Sequence, residues 1–358
     1  MNKLIRFYFN PRYLYFIGLV IVFGLSFSEV FRGRDNNFQI FSQATKLYWQ
    51  GIAPYGNNWK NMTTGLDSFL YGPVFNIFFA PFAYLPKMVG PFVWNILNYS
   101  LYFLAIFKLP EKFTKETKCK IFMYTFLILA AALLSFQANV MVAYIFLLSF
   151  SLLERDKPFW AIVLILFSGF IKVYGVFQLG LLLCYPKFRR NMLYVFVIAI
   201  FFLFLPIVNT KIGNLFSYYN NWIDMIIGHK NNRPWQTFFY MKPWLNISAY
   251  SLYIQLGTLA ILAGMFLLCY KRLNSFAFRL QITGILMTWL VLFSNAADTH
   301  TYLIAMLGYT LWYWSQDMHN KIDRVLFYAL LLVVIIVPID LLCPPFIMRF
   351  LFYKLSLL

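Results

Sequence analysis

The chain has 358 residues, of which 61% are hydrophobic, 22% aromatic and only 12% charged, about half the charge of a soluble domain. Its net charge of +18 is spread over many short segments, the pattern of membrane topology and anionic headgroups, and nucleic acid is not an expected partner. No CxxC, HExxH, P-loop or GxGxxG occurs, so a nucleotide-driven pump or a thiol-metal site has no support.

In chain order, apolar segments at 13–28, 90–107, 121–136, 138–153, 159–170, 173–184, 193–209, 250–270, 280–296, 301–314 and 325–342 predict an all-α polytopic membrane protein. The expected count is about eleven helices, within a range of about 10–13, in a single transmembrane domain over 1–358. The first segment reads as a retained helix, because "FGLSFSEVF" offers no small-residue cleavage site. With the amino terminus inside, the short connecting loops on that face hold 18 of the 30 basic residues. Two long loops, 29–89 and 210–249, then lie on the outer face.

Asp35 directly follows the first apolar segment in "VFRGRDNNFQIFSQATKLYWQGIAPYG". A lone carboxylate there suits an acid-base residue at the mouth of a membrane cavity, and equally an N-cap that satisfies free backbone donors. Behind it, Phe38, Phe41, Ala44, Leu47 and Tyr48 fall on one helix face, which predicts an amphipathic helix in the interface with its aromatic side in lipid or against the bundle. "SFLYGPVFNIFFAPFAYLP" then predicts a short, turned juxtamembrane element. Within it, Tyr71 is a candidate for a ligand hydroxyl or phosphate.

Gln137 and Asn139 form a tight connection where amides fix helix ends or bind sugar hydroxyls. Lys172, in "SGFIKVYGVF", interrupts an apolar run. A lysine there costs about 2.5–3.5 kcal/mol on insertion, so it faces a cavity, an ion partner or an anionic ligand, unless it snorkels from a helix end. The second long loop mixes Trp235 and other aromatics with Asn232, Arg233 and Gln236. That mixture suits carbohydrate, and aromatic belts account for part of it. His300 follows Asp298 in "LFSNAADTHTYLIAM", on the same face as Asp35, where an imidazole can donate to a phosphate or act as an acid. Asp-x-His alone is a poor metal signature, and no pair among the four cysteines looks placed for a disulfide. No role is assigned to the tail 343–358.

The ordered set resembles the polytopic GT-C glycosyltransferases and, within them, glycosyltransferase family 87, which contains polyprenol-phosphate-mannose-dependent mannosyltransferases. The resemblance rests on Asp35, "WQGIAPYG" for Gly-x-x-x-Tyr, "FLYGP" for aromatic-Tyr-Pro-Pro, "FQAN" for Gly-Gln-x-Asn, "IKVYG" for Lys-x-Tyr-Pro, an Asn-rich stretch and a late His. Gly72, Phe136 and Gly175 depart from that pattern and mark a distant branch.

The resemblance implies transfer of a sugar, most simply mannose, from a polyprenyl-phosphate donor to a glycolipid or glycan hydroxyl on the extracytoplasmic side of the inner membrane. Asp35 is the implied general base of an inverting reaction. Lys172 and His300 are the implied phosphate ligands, with Arg32, Arg34 and Arg233 in reserve. Tyr71, Gln137, Asn139, Asn232, Trp235 and Gln236 are left for the sugar and acceptor. Neither metal nor cofactor is expected, and the chain is expected to act as a monomer. Asp67 and Asp298 keep a second carboxylate, and hence retention, open. The alternatives are an O-antigen-type polymerase or ligase relying on outer-loop arginines, and a lipid-sugar flippase with midplane charge pairs and repeats.

Overall fold

The computed structural model describes residues 9–63, 65–230, 250–294, 297–316 and 318–332, and among them no strand occurs. The helices are α1 Pro11–Phe31, α2 Asn36–Trp49, α3 Gly56–Met62, α4 Pro73–Ala83, α5 Gly90–Phe107, α6 Lys115–Leu134, α7 Asn139–Leu153 and α8 Pro158–Ile171. They continue, after a 3-10 stretch Val173–Cys184, with α9 Phe188–Phe204, α10 Ile212–Lys230, α11 Ser251–Leu268, α12 Phe276–Leu292, α13 Tyr302–Trp314 and α14 Lys321–Leu331. Every predicted apolar segment is helical over most of its described length, with non-helical residues at some ends, as at 135–136 and 293–294. Of these, 280–296 is described to residue 294 and 325–342 to residue 332.

Four helices are long and apolar enough to cross a membrane: α1, α6, α9 with its extension to Val208, and α11. Several of the others are apolar but shorter, and burial accounts for the difference. At 15 residues, α7 spans about 22 Å, short of a hydrocarbon core of ~30 Å. Yet 13 of its residues are buried, because it lies among α5, α8 and α13. Protein encloses it, so lipid thickness does not set its length. In α11 only Ser251 is buried, the profile of a helix whose surface faces lipid.

The first long loop is folded structure. In α2, Phe38, Phe41, Ala44, Leu47 and Tyr48 are all buried, and the helix packs on α4. Of its two expected placements, the one against the bundle holds. The second loop corrects the sequence reading, since residues 212–230 form α10. Leu215, Tyr218, Tyr219 and Trp222 are buried on its inner face. Their spacing of three and four residues was a helical signal, obscured by the aromatic-belt interpretation.

The connections sort to two ends of the bundle. At one end meet Asp35, the α6–α7 turn, Lys172 and the segment 297–301. At the other, Glu154 at the foot of α7 pairs with Arg279 of α12, accepts from Tyr185 Oη at 2.7 Å, and Arg155 donates to the Lys108 carbonyl at 2.7 Å.

Candidate active site

Two helix stops set the frame. In α1 the chain ends in a Schellman turn: Gly33 N–H donates to Val30 O (3.0 Å), Arg34 N–H donates to Glu29 O (2.9 Å), and Gly33 has φ 67°. Two residues later α2 begins, with Asp35 at its N-cap position. The stop of α6 is built the same way, with Phe136 N–H to Leu133 O (2.9 Å) and Gln137 N–H to Ala132 O (3.0 Å). Here the left-handed position is held by Phe136, at φ 51°. Helix ends leave unpaired carbonyls. Asn37 Nδ2 covers that of Ser135 at 2.7 Å and Trp94 Nε1 that of Phe136 at 3.3 Å. The first turn of α2 is thereby pinned to the last turn of α6.

Asp35 is 2% exposed and makes no side-chain cap bond. Its Oδ1 accepts from Gln39 Nε2 at 2.7 Å, while Oδ2 has no hydrogen-bond partner among the described residues. The N-cap role is therefore filled by position only, and the carboxylate is held by one neutral amide from the next helical turn.

A second polar group lies across the α6–α7 turn. Lys172, half-buried, stands in extended backbone (φ −142°, ψ 120°) between α8 and the 3-10 stretch, at a break and not inside a continuous helix. Its ammonium donates to Asn139 Oδ1 and lies 4.9 Å from the Tyr174 ring centre and 5.6 Å from that of Tyr71. Asn139 Nδ2 donates to Thr301 Oγ1 (3.0 Å), which donates to Asp298 Oδ1 (2.6 Å). This sequence fixes the amide: with Nδ2 on Thr301, Oδ1 must face the lysine. Gln137 Nε2 reaches Asp298 Oδ2 at 3.5 Å. No ion pair among the described residues includes Asp35, Lys172 or Asp298.

His300 Nε2 shares a hydrogen bond with Ser135 Oγ at 3.0 Å, and its buried Nδ1 has no partner among the described residues. Burial lowers its pKa from the ordinary 6.5, against a smaller opposing pull from the Asp298 carboxylate. Ser135 also bonds Asn37 through its carbonyl, so His300 and the start of α2 share one residue. Tyr71 is buried, and burial, then Asp298 and Tyr174, raises its phenol far above the usual range. It thus stays a neutral donor. Among the described residues no group of three His, Cys, Asp or Glu side chains is placed to hold a metal ion.

The sequence model of glycosyltransferase family 87 matches residues 69–294, more than half of the chain. The chain belongs to glycosyltransferase family 87. No curated protein and no solved structure matches it. Family membership and the apolar helices together make this an integral membrane glycosyltransferase.

Its departures from the family 87 pattern have physical causes. The glycine expected before Gln137 falls on the left-handed position of the α6 stop, which Phe136 occupies at a cost of about 1–2 kcal/mol, offset by complete burial of its ring. Gly72 stands for the first proline. Its N–H donates to Ile171 O at 2.9 Å, and a Cβ there would come within 2.0 Å of Phe170 O. A proline has no such N–H and no room. Gly175 stands for the last proline, donates to Lys172 O at 2.8 Å, and leaves no space for a Cβ against Gly169 N at 2.3 Å. Gly72 and Gly175 thus hold the backbone on either side of Lys172.

Of the expected site residues, Lys172, Asn139, Gln137, Tyr71 and His300 come together around the α6–α7 turn, and Asp35 joins them through Asn37 and Ser135. Arg32 and Arg34 are exposed, and Arg32 pairs with Glu29 at 3.9 Å, so neither reserve arginine is drawn into the group. Arg233, Asn232, Trp235 and Gln236 lie outside the described residues. Sequence reasoning missed Gln39, Ser135, Tyr174 and Thr301 as members. Gln39, one turn after Asp35, and Tyr174, the tyrosine of "IKVYG", carried a signal; Ser135 and Thr301 are ordinary polar residues whose role emerges only in the folded chain.

Proposed function

We propose that this family 87 enzyme transfers a sugar, most simply mannose, from a polyprenyl-phosphate donor to a glycolipid or glycan hydroxyl, without a metal ion and with inversion. The observation that carries the proposal is the buried Asp35 carboxylate, which neither caps its helix nor meets a cation and keeps Oδ2 open. In the reaction Oδ2 takes the acceptor proton as the acceptor oxygen bonds to the anomeric carbon. The bond from that carbon to the phosphate oxygen breaks, and the electron pair leaves with the polyprenyl phosphate. The leaving group needs positive charge more than a proton. Lys172 supplies the charge, and His300 Nδ1 and the Tyr71 hydroxyl add neutral donors. The polymerase alternative leans on outer-loop arginines, and the exposure of Arg32 and Arg34 weighs against it.

In this account the site end faces the extracytoplasmic side of the inner membrane and the chain acts as a monomer. The experiment is transfer of radiolabelled sugar from polyprenyl-phosphate-mannose by purified protein in liposomes with EDTA. Transfer that EDTA leaves intact supports the proposal. Transfer only from a diphosphate-linked oligosaccharide would replace it with the polymerase reading.

A further inference from the structure

A groove of about 540 Å³ opens between α3 and α10, lined by Asn57, Asn58, Lys60, Asn221 and Asp224, with Tyr55 among its wall residues. Its size falls within the range of small-ligand sites, and its surface is close to half polar where such sites are mostly apolar. Each wall is pinned from behind. Trp59, 2% exposed, anchors α3, and Trp222, 6% exposed, anchors α10 and donates through Nε1 to Leu70 O at 3.0 Å. Residues beside each tryptophan line the groove, so the backbone of both walls is held by a buried ring, while those lining side chains are exposed. Tyr55 joins the groove to the site already described: its hydroxyl donates to Tyr71 O at 2.8 Å, and the Tyr71 ring lies 5.6 Å from the Lys172 ammonium.

The chemistry of the walls selects a ligand class. Three carboxamides, one carboxylate and one ammonium offer donors and acceptors in both senses, and Lys60 and Asp224 cancel in charge with no ion pair between them among the described residues. A phosphate would meet Asp224 and, among the described lining residues, a single cation, Lys60. An isoprenoid tail would take three carboxamides and two charged groups out of water without giving them a partner. A neutral chain rich in hydroxyls finds a partner at every wall. We propose that this groove is the acceptor subsite, holding the non-reacting sugars of an oligosaccharide chain whose terminal hydroxyl reaches the Asp35 end. The acceptor is therefore a glycan of more than one sugar. This rests on the glycosyltransfer reading above, and the test separates the two.

The direct test is cysteine protection at Asn221→Cys in the full-length chain, labelled by a polar maleimide and read at that peptide by mass spectrometry. The probes are neutral oligosaccharides released from the cells' own envelope by mild acid, and inorganic phosphate. The expected result is labelling slowed by about tenfold or more with the oligosaccharides, not with phosphate, and restored by Asn58→Ala with Asp224→Ala, which remove several hydrogen bonds. No protection by oligosaccharides at saturation, or equal protection by phosphate, would overturn the proposal. In parallel, Asn57→Trp fills the groove from an exposed position. It should raise the acceptor KM about tenfold with donor KM and kcat unchanged, and a loss confined to kcat or donor KM would count against the subsite. Full transfer by Asp35→Asn alongside intact protection would remove the base assignment and leave the groove standing.

Discussion

The two ends of the helix bundle handle charge in opposite ways. Where α7 meets α12, Glu154 and Arg279 face each other directly, with Nη2 to Oε2 at 2.9 Å and Tyr185 as a third partner. Where α7 begins, Asp35 is held by Gln39, Lys172 by Asn139 and Asp298 by Thr301, so each ion has a neutral partner. A paired ion is spent on structure. An ion held by an amide or hydroxyl keeps most of its field for a ligand, and the cost of burying it must be met by the neighbours that hold it. The same helices, α7, α12 and the 3-10 stretch after Lys172, run between both ends, so the difference lies in side-chain choice and not in fold.

The largest effect is expected at the paired end. Glu154→Gln leaves a largely buried guanidinium without its anion and should cost about 3 kcal/mol of stability, read as a lower melting temperature in detergent, with both KM values unchanged. A matching loss of kcat would mean that the paired end also serves the reaction.

At the site end, Lys172→Met should lower kcat/KM for the donor about 100-fold while leaving the melting temperature near or above that of wild type, because a half-buried cation is removed. Lys172→Arg should recover little of this, since Asn139 Oδ1 and two aromatic rings are fitted to a compact ammonium. Asp298→Asn should be milder. It loosens Thr301 and so the orientation of Asn139, which raises the donor KM by about tenfold with a smaller change in kcat.

The smallest effect is in pH. Because burial holds the His300 pKa below its unfolded value, the unfolded chain takes up the proton first as the medium is acidified. The histidine's contribution to stability is complete above about pH 6.5 and falls away as the pH drops toward the folded value. Melting temperature should decline between pH 7.5 and 5.5, and His300→Gln should flatten that decline.

Much of this was legible in the sequence. Apolar runs and the position of Asp35 after the first helix gave the all-α membrane class, and the order of short motifs gave the family. The Gly33 stop that places Asp35 is a local rule readable from "FRGRD". Phe136 was not readable in that way, because a buried aromatic in a left-handed position is sustained by packing around it and not by its own preference. The helix α10 was hidden because buried tyrosine and tryptophan at helical spacing look like an interfacial belt. The relay from Asp298 through Thr301 and Asn139 to Lys172 joins residues more than a hundred positions apart in the chain, and no local pattern announces it.

Whether Asp35 is a base or a cap is decided by one preparation of Asp35→Asn. Its kcat for sugar transfer and its melting temperature should be measured side by side with wild type. A base at this position gives a fall in kcat of about 100-fold or more, with a melting temperature equal to or above that of wild type. Activity within about threefold of wild type, or a loss that simply tracks a collapse in stability, would contradict it.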